Sequence, residues 1–377
     1  MIYLDYNATT PVDPEALAAM LPYFSERFGN AHSAHAPGWA AHEAVEVARG
    51  HVAALAGAAP EEVVFTSGAT EACNLALRGA LAAYPSKGRH LVVAATEHRA
   101  VLDTAAALAR AGAEATVVPV RPDGTLDPDR LADALRPDTV CAAVMAANNE
   151  TGVCHDLAAV AEVCRPRGVL VFTDATQAAG KVPLDFAHAD LLALSAHKLY
   201  GPKGAGALVV RRRGPRVALV DQMTGGGQER GRRAGTLNVP GIVGFGAAAQ
   251  LAHARLDAEA ARLAALRDGL ERTLVGELGA VVHGAGTVRL PNTLSLAVPG
   301  VPAERLLSRL AGRLALATGS ACSSASKAPS HVLTAMGVDA ATARASLRIS
   351  LGRPTTAAEA AEAAALLVEA VRAERPR

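Results

Sequence analysis

The chain has 377 residues, half of them hydrophobic, only 3% aromatic and 19% charged, with a formal net charge of +1. That length suits about two domains at ~150 residues each, with a core built mainly from Ala, Leu and Val. The near-neutral balance argues against a general nucleic-acid binder and against a polybasic membrane protein.

The first residues, MIYLDYNATTPVDPEAL, contain no basic segment leading into an apolar one, so no signal peptide is expected. No apolar run reaches the ~18 residues that suggest a membrane span. Five cysteines (Cys73, Cys141, Cys154, Cys164 and Cys322) are widely spaced and form no CxxC pair. This suits a reducing, cytoplasmic setting better than a disulfide framework or a metal site. Cys141, Cys154 and Cys164 are expected to pack in the core.

In chain order, VDPEALAAMLPYF reads as a helix capped by Asp13 with Pro14 at its first position. GWAAHEAVEVARGHVAALAGA reads as a second, ending at Gly57. Strands and helices then alternate. EEVVFTSG, HLVVAATEH, ATVVPV, TVCAAVMAANN, GVLVFTDATQ and ADLLALSAHK are short apolar runs, mostly ending in polar residues, and helical stretches lie between most of them. Continuous apolar strands of this kind indicate a parallel sheet covered on both faces. The basic run from Arg211 to Arg216 reads as a solvated turn. After about residue 240 a long helix, AAAQLAHARLDAEAARLAALRDGLERTL, leads to strands near NTLSLAV and ASLRISLG. A last helix opens on the capping-box pair Thr356 and Glu359. The expected organisation is a large α/β domain over residues 13–250 and a smaller α+β domain made of 1–12 and 251–377.

In open α/β sheets, ligands bind beyond the carboxyl ends of the strands. VVFTSGATEACN turns from strand to helix through Gly68, and the N–H groups there, with the Thr70 hydroxyl, favour a phosphate. The same turn would serve an ordinary capped helix. Asp174 follows an apolar strand and would suit a protonated pyridine nitrogen; a helix cap is the alternative. Ser195, His197 and Lys198 end another such strand. Only five of the 37 basic residues are lysine, so a lysine at a strand end suggests use of its amine, which can form a Schiff base. Lysine, carboxylate and phosphate cup together fit pyridoxal phosphate. His98 could stack on the ring and carry protons, and Asn149 and Gln177 could hydrogen-bond its oxygen and the substrate.

With those residues assembled, the chain resembles the cysteine desulfurases of the class V aminotransferase superfamily. The resemblance runs almost end to end, through YLDYNATTPVDP, VFTSGATEACNLAL, TEHRAVL, NNETG, DATQAAGKVPLD, SAHKLYGPKGAGAL, GGGQERGRRAGT, ATGSACSSASKAPSHVL and SLRISLGRPTT. It implies the fold type I architecture of pyridoxal-phosphate enzymes, with a mainly parallel seven-stranded sheet in the large domain and a smaller α+β domain. It also implies a site in which Lys198 holds the cofactor and shuttles protons, Asp174 holds the pyridinium charge and His98 covers the ring. Ala69, Thr70, Ser195 and His197 would hold the phosphate, and Asn149 and Gln177 the ring oxygen and substrate. Thr236 would reach the phosphate of the other subunit of a homodimer, and Arg348 would clamp the substrate carboxylate. Cys322, on a loop of small residues at about 317–330 implied to be mobile, would take sulfur from L-cysteine as a persulfide. The sulfur would pass to an acceptor or scaffold protein serving iron–sulfur assembly or tRNA thiolation. Cys73 stands where Asp or a small polar residue is common in the family, and is a candidate second, incidental thiol. A selenocysteine lyase, another class V aminotransferase and a non-catalytic sulfur-trafficking scaffold are the alternative readings. An aminotransferase has no step for Cys322.

Overall fold

The computed structural model describes residues 1–318 and 329–375; Cys322 lies outside the described residues. Its first helix, α1 (Pro14–Met20), opens as expected, with the Asp13 side chain accepting from Glu15 N–H and Pro14 at the start. Helix α2 (Ala36–Ala56) closes on Gly57, whose φ of 68° is the left-handed cap that glycine adopts without strain.

Seven strands build the main sheet: β1 (Val63–Thr66), β2 (His90–Ala94), β3 (Glu114–Val118), β4 (Thr139–Ala143), β5 (Leu170–Asp174), β6 (Leu191–Ser195) and β7 (Gly206–Val210). Their spatial order is β1-β7-β6-β5-β4-β2-β3. Only β7 runs against its neighbours, pairing antiparallel with both β1 and β6. Six strands therefore bring their carboxyl ends to one rim, and β7 brings its amino end there.

Every strand except β3 is buried along its whole length, which is why each reads as a continuous apolar run. The edge strand β3 is mostly exposed. Helices α3 (Ala69–Ala83) and α4 (Arg99–Arg110) contribute to the core on one face, and α2 to that on the other.

Helix α5 (Val239–Leu278) is 40 residues long and begins eight residues before the stretch that sequence periodicity picks out. Its extra turns carry Gly241, Gly244 and Gly246, poor helix formers that packing requires. A Cβ on Gly246 would lie 2.5 Å from the Ala48 main chain of α2. The helix serves two cores: Ile242, Phe245 and Ala249 join the main-sheet core, whereas Leu263, Leu270 and Leu274 join a second one. Around that second core stand Thr293–Ala297 and Ser346–Ser350, paired antiparallel, and helix α6 (Ala357–Glu374). Helix α6 has the expected reciprocal cap between Thr356 and Glu359. The chain's start also belongs here, since Ile2–Tyr3 pairs with Leu314–Ala315 and Leu4 is fully buried in the second core.

One surface expectation changes, and Cys73 is placed. Arg211 does not hang in solvent: its Nε sits 2.9 Å from the buried Asp190 carboxylate, and only the turn beyond it is exposed. Cys73 is fully buried in α3, and burial pushes its thiol well above the usual range, so it packs and does not present a second reactive thiol. Cys141 and Cys164 are buried and Cys154 partly so.

Candidate active site

The common rim of the sheet opens into a pocket of about 490 Å³. Nine residues singled out from the sequence line it together: Ala69, Thr70, His98, Asn149, Asp174, Gln177, Ser195, His197 and Lys198. The topology explains the convergence, because β5, β6 and the turns after β1, β2 and β4 all end there.

Gly68 precedes α3 with φ 154° and ψ 178°, a conformation open essentially to glycine alone, and makes no side-chain cap. The first N–H groups of α3 therefore meet the pocket without a capping oxygen from that residue, the condition that favours an anion. Gly206 at the start of β7 packs so closely that a Cβ there would lie 2.5 Å from Gly68. Ser195, buried at the end of β6, pairs with that same Gly206.

Asp174 is 6% exposed, and its Oδ1 accepts the Thr176 N–H at 2.9 Å. The buried Thr176 hydroxyl, also at the pocket, has no hydrogen-bond partner among the described residues. Lys198 Nζ donates to the Asn7 and Ala8 carbonyls at 2.6 and 2.7 Å. Burial, helped by the charges of Lys198, Lys203 and Lys181, pushes the His197 imidazole down to about 4, and its Nδ1 lies 3.1 Å from the Thr9 hydroxyl. His197 is thus neutral at pH 7. His98 caps α4, its Nδ1 accepting the Ala100 N–H, which leaves the proton of the neutral ring on Nε2.

Arg348 does not line this pocket. It lies behind it, 1% exposed, with Nη2 on Asp5 at 2.7 Å and Nη1 on the Asn149 carbonyl at 3.2 Å. Its Nε is buried with no partner among the described residues. Thr236 is exposed in the loop before α5 and does not line the pocket of its own chain.

Sequence reasoning gave no role to Asn7. Its side chain joins Asn149, Thr293 and Asn292, while its carbonyl receives both Gln177 Nε2 and Lys198 Nζ. Its partners are scattered along the chain, so no local pattern marks it. Glu97 and Glu150 were also missed. Both are buried, which raises their carboxyls to about 8 and about 7, and Glu150 accepts from Ser330. Lys203, at the pocket mouth, carried a usable signal as one of only five lysines.

The uncapped start of α3, a buried carboxylate and a lysine amine thus stand at one rim. Residues 2–362 match the family model described as Aminotransferase class-V. A relative named cysteine desulfurase IscS, from Anaeromyxobacter sp. (strain Fw109-5), is 54% identical over 98% of this chain and 92% of its own. Among solved structures, one described as a NifS-like protein superposes with a TM-score of 0.91 at 35% identity, covering 98% of this chain and 99% of that one. Another, described as SspA in complex with cysteine, gives 0.82 at 34% identity, covering 93% and 99%. The chain belongs to the aminotransferase class-V family.

Proposed function

We propose that the protein is a pyridoxal-phosphate-dependent cysteine desulfurase, converting L-cysteine to L-alanine and carrying the sulfur as a persulfide on Cys322. The observation that carries this reading is the meeting of Lys198, Asp174 and the uncapped start of α3 in one pocket. The names of its relatives point the same way.

The residues fit the cofactor. A phosphate would sit against the Ala69 and Thr70 N–H groups in the pocket that Gly68 also lines, with Ser195 and His197 beside it. A neutral His197 can offer an N–H without adding a charge that would have to be desolvated. Asp174 would hold the proton on the ring nitrogen, and Asn149 and Gln177 would donate to the ring oxygen. When bound, pyridoxal phosphate supplies a carbonyl for amines and a ring that stores the electrons of a broken Cα–H bond.

Lys198 would hold that carbonyl through Nζ and then take the substrate α-proton. His98 would cover the ring and move a proton at Nε2. Arg348 would meet the substrate carboxylate by turning its guanidinium from Asp5 and the Asn149 carbonyl toward the pocket. The Cys322 thiolate would attack the substrate sulfur: the S–S bond forms, the C–S bond breaks, and the carbon is protonated to give alanine. Thr236, exposed on its own chain, would complete the phosphate site of a second subunit in a homodimer.

The same reading assigns 13–250 as the cofactor domain and 1–12 with 251–377 as the smaller one. It also assigns delivery of sulfur to an acceptor or scaffold protein, in the cytoplasm. No helix among the described residues is long and apolar enough to cross a membrane.

The test is to supply L-cysteine and a thiol reductant and follow alanine and sulfide in wild type and Cys322→Ala. Wild type should release the two in equal amounts, and the variant should keep its yellow cofactor band and lose turnover. Sulfide release undiminished in the variant would remove Cys322 from the reaction, and transamination products from wild type would favour an aminotransferase instead.

A further inference from the structure

Lys181 has no role in the chemistry above, yet its amine reaches into the machinery. It follows the single helical turn after β5, and Nζ lies 2.9 Å from the Gln177 carbonyl, 3.4 Å from Gln177 Oε1 and 3.4 Å from the Lys198 carbonyl. All three partners are oxygens, matching the three N–H donors of an ammonium. Together with Lys198 it lines a separate cavity of about 20 Å³, shared with Tyr200 and Asn292.

We propose that Lys181 is a positioning residue that fixes which end of the Gln177 amide faces the cofactor, making Gln177 a hydrogen-bond donor to the ring oxygen. The argument is one of donor and acceptor types. An ammonium has only donors, so the amide end turned to Lys181 must be Oε1. The Asn7 carbonyl has only lone pairs, and it receives Nε2 at 3.0 Å. Both ends of the amide are thereby specified, and the second Nε2 hydrogen remains for the pocket that Gln177 lines. A flipped amide would set N–H against N–H and oxygen against oxygen. The residue type carries the same message, since 32 of the 37 basic residues are arginine and this position is not. Burial, and then the Lys198 charge, pushes the Lys181 amine down to about 7, so the donor-only ammonium prevails below that pH.

This inference rests on the pyridoxal-phosphate reading, and one experiment separates the two. Wild-type, Lys181→Met and Lys181→Arg holoenzymes are compared for the position of the visible cofactor band and for the cofactor dissociation constant. Lys181→Met should shift the band and weaken cofactor binding about tenfold, the scale of one charge-assisted hydrogen bond. Lys181→Arg, still donor-only, should stay within about twofold of wild type on that same scale. Combined with Gln177→Met, the Lys181→Met change should add nothing further. If the methionine variant does not fold, Lys181→Gln is read through the same double-mutant cycle. An unchanged band and affinity in Lys181→Met, equal losses in Met and Arg variants, or additivity with Gln177→Met overturns the proposal. A wild-type protein that binds no pyridoxal phosphate overturns the functional reading instead.

Discussion

The carbonyl of Asn7 accepts a hydrogen bond from Lys198 Nζ at 2.6 Å, across 191 positions of sequence. The chain's first turn, tied by Ile2–Tyr3 to the second core, thus touches the amine at the end of β6. The two cores are joined at Lys198 as well as through α5.

Lys198 is the amine assigned to the cofactor. Borohydride reduction of the holoenzyme followed by peptide mapping should therefore place the cofactor on Lys198 and on none of the other four lysines. Lys198→Ala should lower turnover by on the order of 10³. Label on Lys181 or Lys203 would reassign the amine.

Asn7→Ala should be destabilising beyond its size. The side chain joins Asn292, Thr293 and the Asn149 carbonyl, all buried, and its removal breaks these hydrogen bonds while leaving each partner one other contact, to Leu351, Asn292 and Arg348 respectively. At ~1 kcal/mol for each hydrogen bond lost, a loss of about 2–4 kcal/mol is expected in urea unfolding. A midpoint equal to that of wild type would show the network to be energetically neutral.

Glu97 gives a prediction in pH. Burial raises its carboxyl from 4.5 to about 8, opposed by the Met145 N–H and reinforced by Asp174. The folded protein then keeps a proton that the unfolded chain releases. The resulting stabilisation is complete below about pH 4.5 and is lost as pH rises through about 8. Glu97→Gln removes this titration. Between about pH 5 and 9 the wild type should lose stability relative to the variant by on the order of a few kcal/mol. A difference independent of pH would contradict the raised carboxyl.

Cys73→Ser should leave desulfuration within about twofold of wild type while costing ~1 kcal/mol of stability, since that thiol is buried in α3. Native-state alkylation should spare Cys73, Cys141 and Cys164, and their modification at the rate of the unfolded chain would contradict their burial.

Much of the site was legible because polar residues at the ends of apolar strands are conspicuous. Asp174, Ser195 and Lys198 each interrupt a hydrophobic run, and the parallel topology carries them to one rim. The start of α5 was hidden because Gly241, Gly244 and Gly246 oppose a helix locally, whereas close approach to Met20 and Ala48 demands the last two. Asn7 was hidden because its meaning lies in contacts up to 343 residues away. The buried acids Glu97 and Glu150 were hidden because carboxylates in loops read as solvated until packing encloses them.

The reversal of β7 has a practical side. With six carboxyl ends and one amino end gathered at the site, the opposite rim holds only the loops that enter β1 to β6 and leave β7, among them Lys87–Arg89, Arg165–Gly168 and the exposed turn after Arg211. Affinity handles or fluorescent inserts placed at Arg213–Pro215 would be separated from the chemistry by the full depth of the sheet, a route to tethering the enzyme without touching its pocket.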